Sequence, residues 1–93
     1  MKLKGKYVLN YLLNRKPETL TVEVKLKMVD GLLKPRQNVW EGFATVDDKP
    51  YNDDNLKFCV DAKLYAEIIG NKLKNDLRKE HGRKLRVKQE KTV

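Results

Sequence analysis
Apolar and polar positions are most clearly patterned between residues 20 and 28. Leu20, Val22, Val24, Leu26 and Met28 alternate with Thr21, Glu23, Lys25 and Lys27. A period of two sends successive side chains to opposite faces of a strand, and Val and Thr suit such a surface. The pattern predicts a strand with one apolar face and one polar face bearing two lysines. Asp30-Gly31 then marks a turn, and Lys34-Pro35-Arg36 extends it into a loop. A second strand is predicted from Val39 to Val46, with Trp40, Ala44 and Val46 on one side and Gly42 as a weak point or bulge. Asp47 to Asn55 is polar and contains Pro50, which predicts a turn. A third strand is predicted over Leu56 to Val60.

From Ala62 the period changes. Tyr65, Ile68, Ile69, Leu73 and Leu77 recur three and four residues apart, as on one helix face. Asp61 stands where an N-cap belongs, and Gly82 suits the position just past the C-terminus. Lys6 to Arg15 is ambiguous. Leu9, Leu12 and Leu13 suit a short helix, while Tyr7, Leu9, Tyr11 and Leu13 equally suit a strand. The helix is preferred, and Pro17 ends whichever element forms. The resulting expectation is an α+β fold of order α-β-β-β-α. A three-stranded antiparallel sheet has two helices packed on one face, and its other face is free. Residues 1–82 form one domain. Residues 83–93 are a basic tail or, through Leu85 and Val87, an extra C-terminal edge strand.

Charge sharpens the picture. The 93 residues hold 21 Lys and Arg against 13 Asp and Glu, a net charge of +8 with a pI near 9.6. Residues 1–20 are net +4, residues 21–60 net −1 and residues 61–93 net +5. Two basic ends brought side by side would make one positive face that concentrates anions. One Cys and one His fall short of the roughly four ligands of a structural zinc site. The lone Cys59 cannot form an intrachain disulfide, so a reducing, cytoplasmic setting is expected, or a nuclear one in a eukaryote. No apolar run approaches the roughly 20 residues that span a bilayer. No cofactor and no membrane partner are expected.

Polyanion binding is the chemistry these residues favour. Lys25, Lys27 and Lys57 on strands, with Lys34 and Arg36 in the loop, can present cations to phosphates from the free sheet face. Lysines on an exposed strand also serve simply to solvate it. Arg78, Lys79, Arg83, Lys84, Arg86 and Lys88 form a second cationic run, and basic residues near a helix C-terminus also complement the helix dipole. Trp40, Phe43 and Tyr51 are candidates to stack on unpaired bases, although the only tryptophan of a small domain is expected in its core. Asp47, Asp48, Asp53 and Asp54 raise Mg²⁺-assisted phosphodiester chemistry, against the plainer reading of a turn rich in Asp and Asn. His81 and Cys59 make no catalytic pair that spacing can place.

The layout resembles the small Alu-domain subunits of the eukaryotic signal recognition particle. In the larger of that pair, a strand like Val22-Glu23-Val24-Lys25-Leu26-Lys27 likewise runs into Asp30-Gly31 and Lys34-Pro35, with Glu41-Gly42-Phe43 and Asp48-Lys49 following. The resemblance covers roughly residues 7–49. It implies a non-enzymatic ribonucleoprotein component that binds folded RNA across its sheet, through Lys25, Lys27, Lys34 and Arg36, and pairs with a like subunit.

The expected function is therefore nucleic-acid binding without catalysis, with structured RNA as the first partner and DNA as the second. A homodimer or a paralogous partner subunit is compatible with an exposed strand edge. The first alternative is binding of single-stranded DNA, on a four-strands-plus-helix arrangement that arises if residues 6–14 form a strand. The second is a small regulatory or inhibitory protein that docks on an acidic protein surface.

Overall fold
The computed structural model describes residues 3–30, 38–51 and 61–93. Strand β1 (Lys4–Leu13) turns into β2 (Lys16–Asp30), followed by β3 (Asn38–Val46) and the short β4 (Lys49–Tyr51). Helix α1 (Ala62–His81) and a 3-10 turn (Gly82–Lys84) lead into β5 (Leu85–Thr92). The strands make one antiparallel sheet of order β4-β3-β2-β1-β5, with α1 packed across β1 and β2.

This corrects the α-β-β-β-α expectation. Among the described residues there are five strands and one α-helix, and residues 6–14 belong to a strand and its turn. Tyr7 and Leu9 point into the core from β1, opposite Val22 and Leu20 of β2. The alternation Gly5, Tyr7, Leu9, Tyr11 therefore decides the element, and the helical spacing of Leu9, Leu12 and Leu13 is incidental. The two readings were confusable because β1 is an inner strand: Val8 and Leu12, on its other face, are also apolar and half-buried. The α-β-β-β-α layout that carried part of the subunit resemblance is absent.

Two-residue turns set the hairpins. Asn14 and Arg15 have φ of 52° and 67°, and Asp47 and Asp48 have φ of 49° and 67°. Positive φ at both positions is the type I′ geometry whose twist matches paired strands. Asn and Asp tolerate it better than most side chains. The predicted turn from Asp47 to Asn55 thus shrinks to Asp47-Asp48, and Lys49 to Tyr51 are strand. Pro50 is tolerated because β4 is the sheet's edge. The predicted third strand, Leu56 to Val60, lies outside the described residues.

The core is a single layer between sheet and helix. Tyr7, Leu9, Val22, Val24 and Ile69 are its largest fully buried side chains. Each contributes about 1.5–3 kcal/mol of apolar transfer. The expected cap on α1 forms: the Asp61 carboxylate accepts from the Lys63 N–H at 2.8 Å. Gly82, at φ 58°, ends the helix and donates its N–H to the Arg78 carbonyl. Two glycines let α1 sit low on the sheet. A Cβ on Gly5 would lie 2.8 Å from the Lys63 nitrogen and closer to the Ala62 carbonyl, and one on Gly70 would enter the Tyr7 ring.

A polar clip fastens β5. The Tyr7 hydroxyl donates to Glu90 Oε2 at 2.9 Å, and Lys74 Nζ donates to the same oxygen at 2.7 Å. One carboxylate thus joins β1, α1 and β5. The hydrogen bond from Lys74, then that from Tyr7, holds the Glu90 carboxyl below the usual carboxylate range. Burial, then the bond to Glu90, pushes the Tyr7 hydroxyl well above its ordinary value of 10.0. The two linkages have opposite signs. The Glu90 contribution is complete above its ordinary value of 4.5 and is lost as pH falls through the lower folded-state value. The Tyr7 contribution is complete below pH 10.0 and is lost as pH rises through the higher one. In an absorbance titration at alkaline pH, Tyr7→Phe is expected to remove one late-ionising tyrosine of the folded protein. An unchanged late phase in that variant would reject the assignment.

Beyond Leu26 the sheet narrows. Lys4 pairs with Lys25, and the Leu26 N–H reaches the Leu3 carbonyl, so among the described residues Lys27 to Asp30 pair only with Asn38 to Glu41 of β3. This two-stranded ribbon explains a radius of gyration of 15.1 Å, against about 12 Å for a compact chain of this length. Met28 is exposed there, while Trp40 packs against the core.

Candidate nucleic-acid interface
Helix α1 covers one sheet face, and among the described residues no element covers the other. Strand register decides what that open face carries, because paired residues of an antiparallel ladder share a face. Phe43, Lys25 and Lys4 form one row across β3, β2 and β1, with Lys27 and Glu41 as the next row toward the ribbon. Thr45, Glu23 and Lys6 follow on the other side, then Thr21, Val8 and Lys91, then Thr19, Asn10 and Gln89, and last Pro17, Leu12 and Arg86. The β1–β5 register shifts between Asn10 and Tyr11, where Gln89 and Val87 are the partners and Lys88 is the extra residue. That bulge is why Leu85 and Val87 on one side of it, and Glu90 and Thr92 on the other, all face the helix while Arg86, Gln89 and Lys91 face outward.

The open face is uneven. Lys4, Lys25 and Lys27 are exposed around Phe43, a residue that is itself 43% exposed. Lys27 Nζ stands 5.4 Å from the ring centroid, a cation–π distance. A large aromatic on the solvent side of a sheet is unusual, since it gives up part of the burial it would gain in a core. Of the three aromatics singled out for stacking, only Phe43 is on this face, because Trp40 and Tyr51 pack against the core. Toward the β3–β4 turn the character changes. A shallow depression of about 340 Å³ is lined by Lys6, Thr21, Glu23, Thr45, Asp47 and Asp48. Lys6 and Glu23 are 4.0 Å apart there. Asp47 is occupied structurally: its carboxylate accepts from the Thr21 N–H at 3.1 Å, and its own N–H donates to the Thr21 carbonyl.

No protein-family model, curated protein or solved structure matches this chain. The site rests on its own geometry.

The cations expected to act fall in three places. Lys25 and Lys27 are on the open face. Arg78 and Lys79 are in the last turn of α1, Arg83 and Lys84 in the 3-10 turn, and Arg86 and Lys88 on β5. Lys34, Arg36 and Lys57 lie outside the described residues, as do Asp53, Asp54 and Cys59. Among the described residues no three His, Cys, Asp or Glu side chains are grouped to hold a metal ion, and no helix is long and apolar enough to cross a membrane.

Reading the sequence missed Lys4, Lys6, Lys91, Arg15 and Lys16. The first three follow from the register once β1 and β5 are paired. Arg15 and Lys16 follow from the turn: Leu13 pairs with both Lys16 and Leu85, and the Asn14 N–H donates to the Lys84 carbonyl at 3.0 Å. The hairpin between β1 and β2 therefore abuts the basic 3-10 turn. Arg15, Lys16, Arg83, Lys84 and Arg86 gather at one end of the sheet, all exposed.

Proposed function
We propose that this protein binds single-stranded nucleic acid across the open face of its sheet, without catalysis. The observation that carries the reading is Phe43 exposed among Lys4, Lys25 and Lys27. An aromatic there offers its face to an unstacked base, and the lysines meet the flanking phosphates. A folded A-form helix keeps its base faces stacked internally and is met through phosphates and 2′-hydroxyls, so an exposed ring adds nothing to its recognition. The sheet-plus-helix arrangement, with residues 6–14 as a strand, also favours the single-stranded reading over binding of structured RNA.

The test is affinity by fluorescence anisotropy for unstructured RNA and DNA oligonucleotides, and for duplexes of equal length, across salt concentrations. Single strands are expected to bind more tightly than duplexes. Log affinity should fall with log salt at a slope of about −2, from three lysine–phosphate contacts at ~0.7 each. Preference between the RNA and DNA arms identifies the natural ligand. Duplexes bound as tightly as single strands, or no salt slope, would overturn the reading.

A further inference from the structure
The cluster at the turn end of the sheet has no role in stacking on Phe43, yet its composition calls for an anion. Arg15, Lys16, Arg83, Lys84 and Arg86 come from two separated segments and are brought together by the Asn14–Lys84 backbone bond and the β1–β5 pairing. Among the described residues none of the five takes part in an ion pair, whereas Lys6 and Lys74 do. Nearby cations without carboxylates repel one another at low ionic strength, and a bound polyanion relieves that repulsion. Two observations tie the cluster to the open face. Arg86 lies on that face, in the row of Leu12, and the surface between it and Lys4 carries Lys6 beside Glu23, then Val8, Thr21 and Lys91, then Asn10, Thr19 and Gln89. Along β1 from Lys4 to Leu12 the separation is about 27 Å, at ~3.4 Å per residue.

We infer that this basic end is a second phosphate-binding station for the same nucleic-acid strand, engaging only ligands long enough to reach it from Phe43. The inference rests on the open-face reading and adds to it a length threshold. Once the Phe43 station is occupied, the second contact is intramolecular, so a modest number of ion contacts raises affinity sharply.

The experiment compares homopolymeric oligonucleotides of about four and about twenty nucleotides, which span the ~4–16-nucleotide sites of small single-strand binders. The wild-type protein is measured beside a triple variant, Arg15→Asn, Arg83→Gln, Lys84→Gln, in which Asn preserves the positive-φ turn position. For the wild type, lengthening the ligand is expected to raise affinity at least tenfold beyond the statistical gain. It should also steepen the salt slope by about 2, from three phosphates at ~0.7 each. The variant should bind the short ligand as the wild type does and lose both the gain and the added slope. A variant that keeps them would overturn the inference, as would a wild type with no gain on lengthening, a result that does not depend on how the variant folds. If the wild type fails to bind the short ligand at all, the open-face reading itself falls, which separates the two failures.

Discussion

Alanine at Gly70 is expected to lower the thermal midpoint by roughly 4–16 °C, a net ~1–2 kcal/mol at ~4–8 °C per kcal/mol for a domain of this size. Two effects compete at this position. In a solvent-facing helix the exchange would add about 1 kcal/mol of stability through helix propensity. Here the new methyl would be 2.6 Å from Tyr7 Cε1 and closer to two other ring carbons. The ring cannot yield easily, because its hydroxyl is fastened to Glu90 and its body is fully buried. Overpacking of this kind costs about 1–3 kcal/mol and sometimes more. The helix must therefore rise off the sheet, weakening the contacts of Ile69 and Ala66 as well. Differential scanning calorimetry decides the sign. A stabilised Gly70→Ala protein would show that the helix does not sit as low as described. Pairing the change with Tyr7→Val should recover part of the loss, because the two side chains compete for one volume and so are not additive.

Phe43→Ala is expected to weaken binding of single strands by about 5- to 150-fold, the equivalent of ~1–3 kcal/mol for one stacked base. Its effect on stability should be about 1 kcal/mol, below the ~3–5 kcal/mol of a fully buried Phe→Ala, since the residue is 43% exposed and a lysine lies over its ring. The split between these readouts is the point: a core aromatic would behave in the opposite way. Phe43→Trp should retain affinity, and an abasic strand should bind both proteins equally, because only a base can use the ring. Equal binding of a normal single strand by wild type and Phe43→Ala would remove stacking from the mechanism and leave only the lysines.

How far the residues disclosed this arrangement depended on whether each signal had a competitor. For β2 the alternation of Leu20 through Met28 had none, and its two lysines were placed on the polar face from sequence. Helix α1 announced itself at both ends through Asp61 and Gly82. Strand β1 did not, because an inner strand is partly apolar on both faces and so loses the contrast that alternation needs. The turn at Asn14-Arg15 lacks the glycine that usually marks positive φ, and the break expected at Pro17 falls instead inside β2, where Pro17 pairs with Leu12. Strand β4 was hidden by Pro50, a turn residue tolerated here by its edge position. The bulge at Lys88 broke the period of β5. Lys4, Lys6 and Lys91 were invisible as site residues for the same reason, since a residue's face is unknown until its strand and register are. The backbone bond from Asn14 to Lys84 is a tertiary fact with no local signature.

The position of β5 has a consequence for how the molecule assembles. Strands β1 to β4 follow one another as a meander and can pair locally, but β1 is completed only by a strand near the other end of the sequence. Tyr7 and Glu90, joined in the clip, are 83 residues apart. Closing so large a loop before its contacts exist is entropically slow, and folds dominated by such pairings reach the native state in milliseconds to seconds. Until then the inner strand exposes its hydrogen-bonding edge and Tyr7 lacks its acceptor. Rapid mixing should accordingly resolve an early phase in which Trp40, held by the meander, acquires its native fluorescence, and a later one in which Tyr7 does.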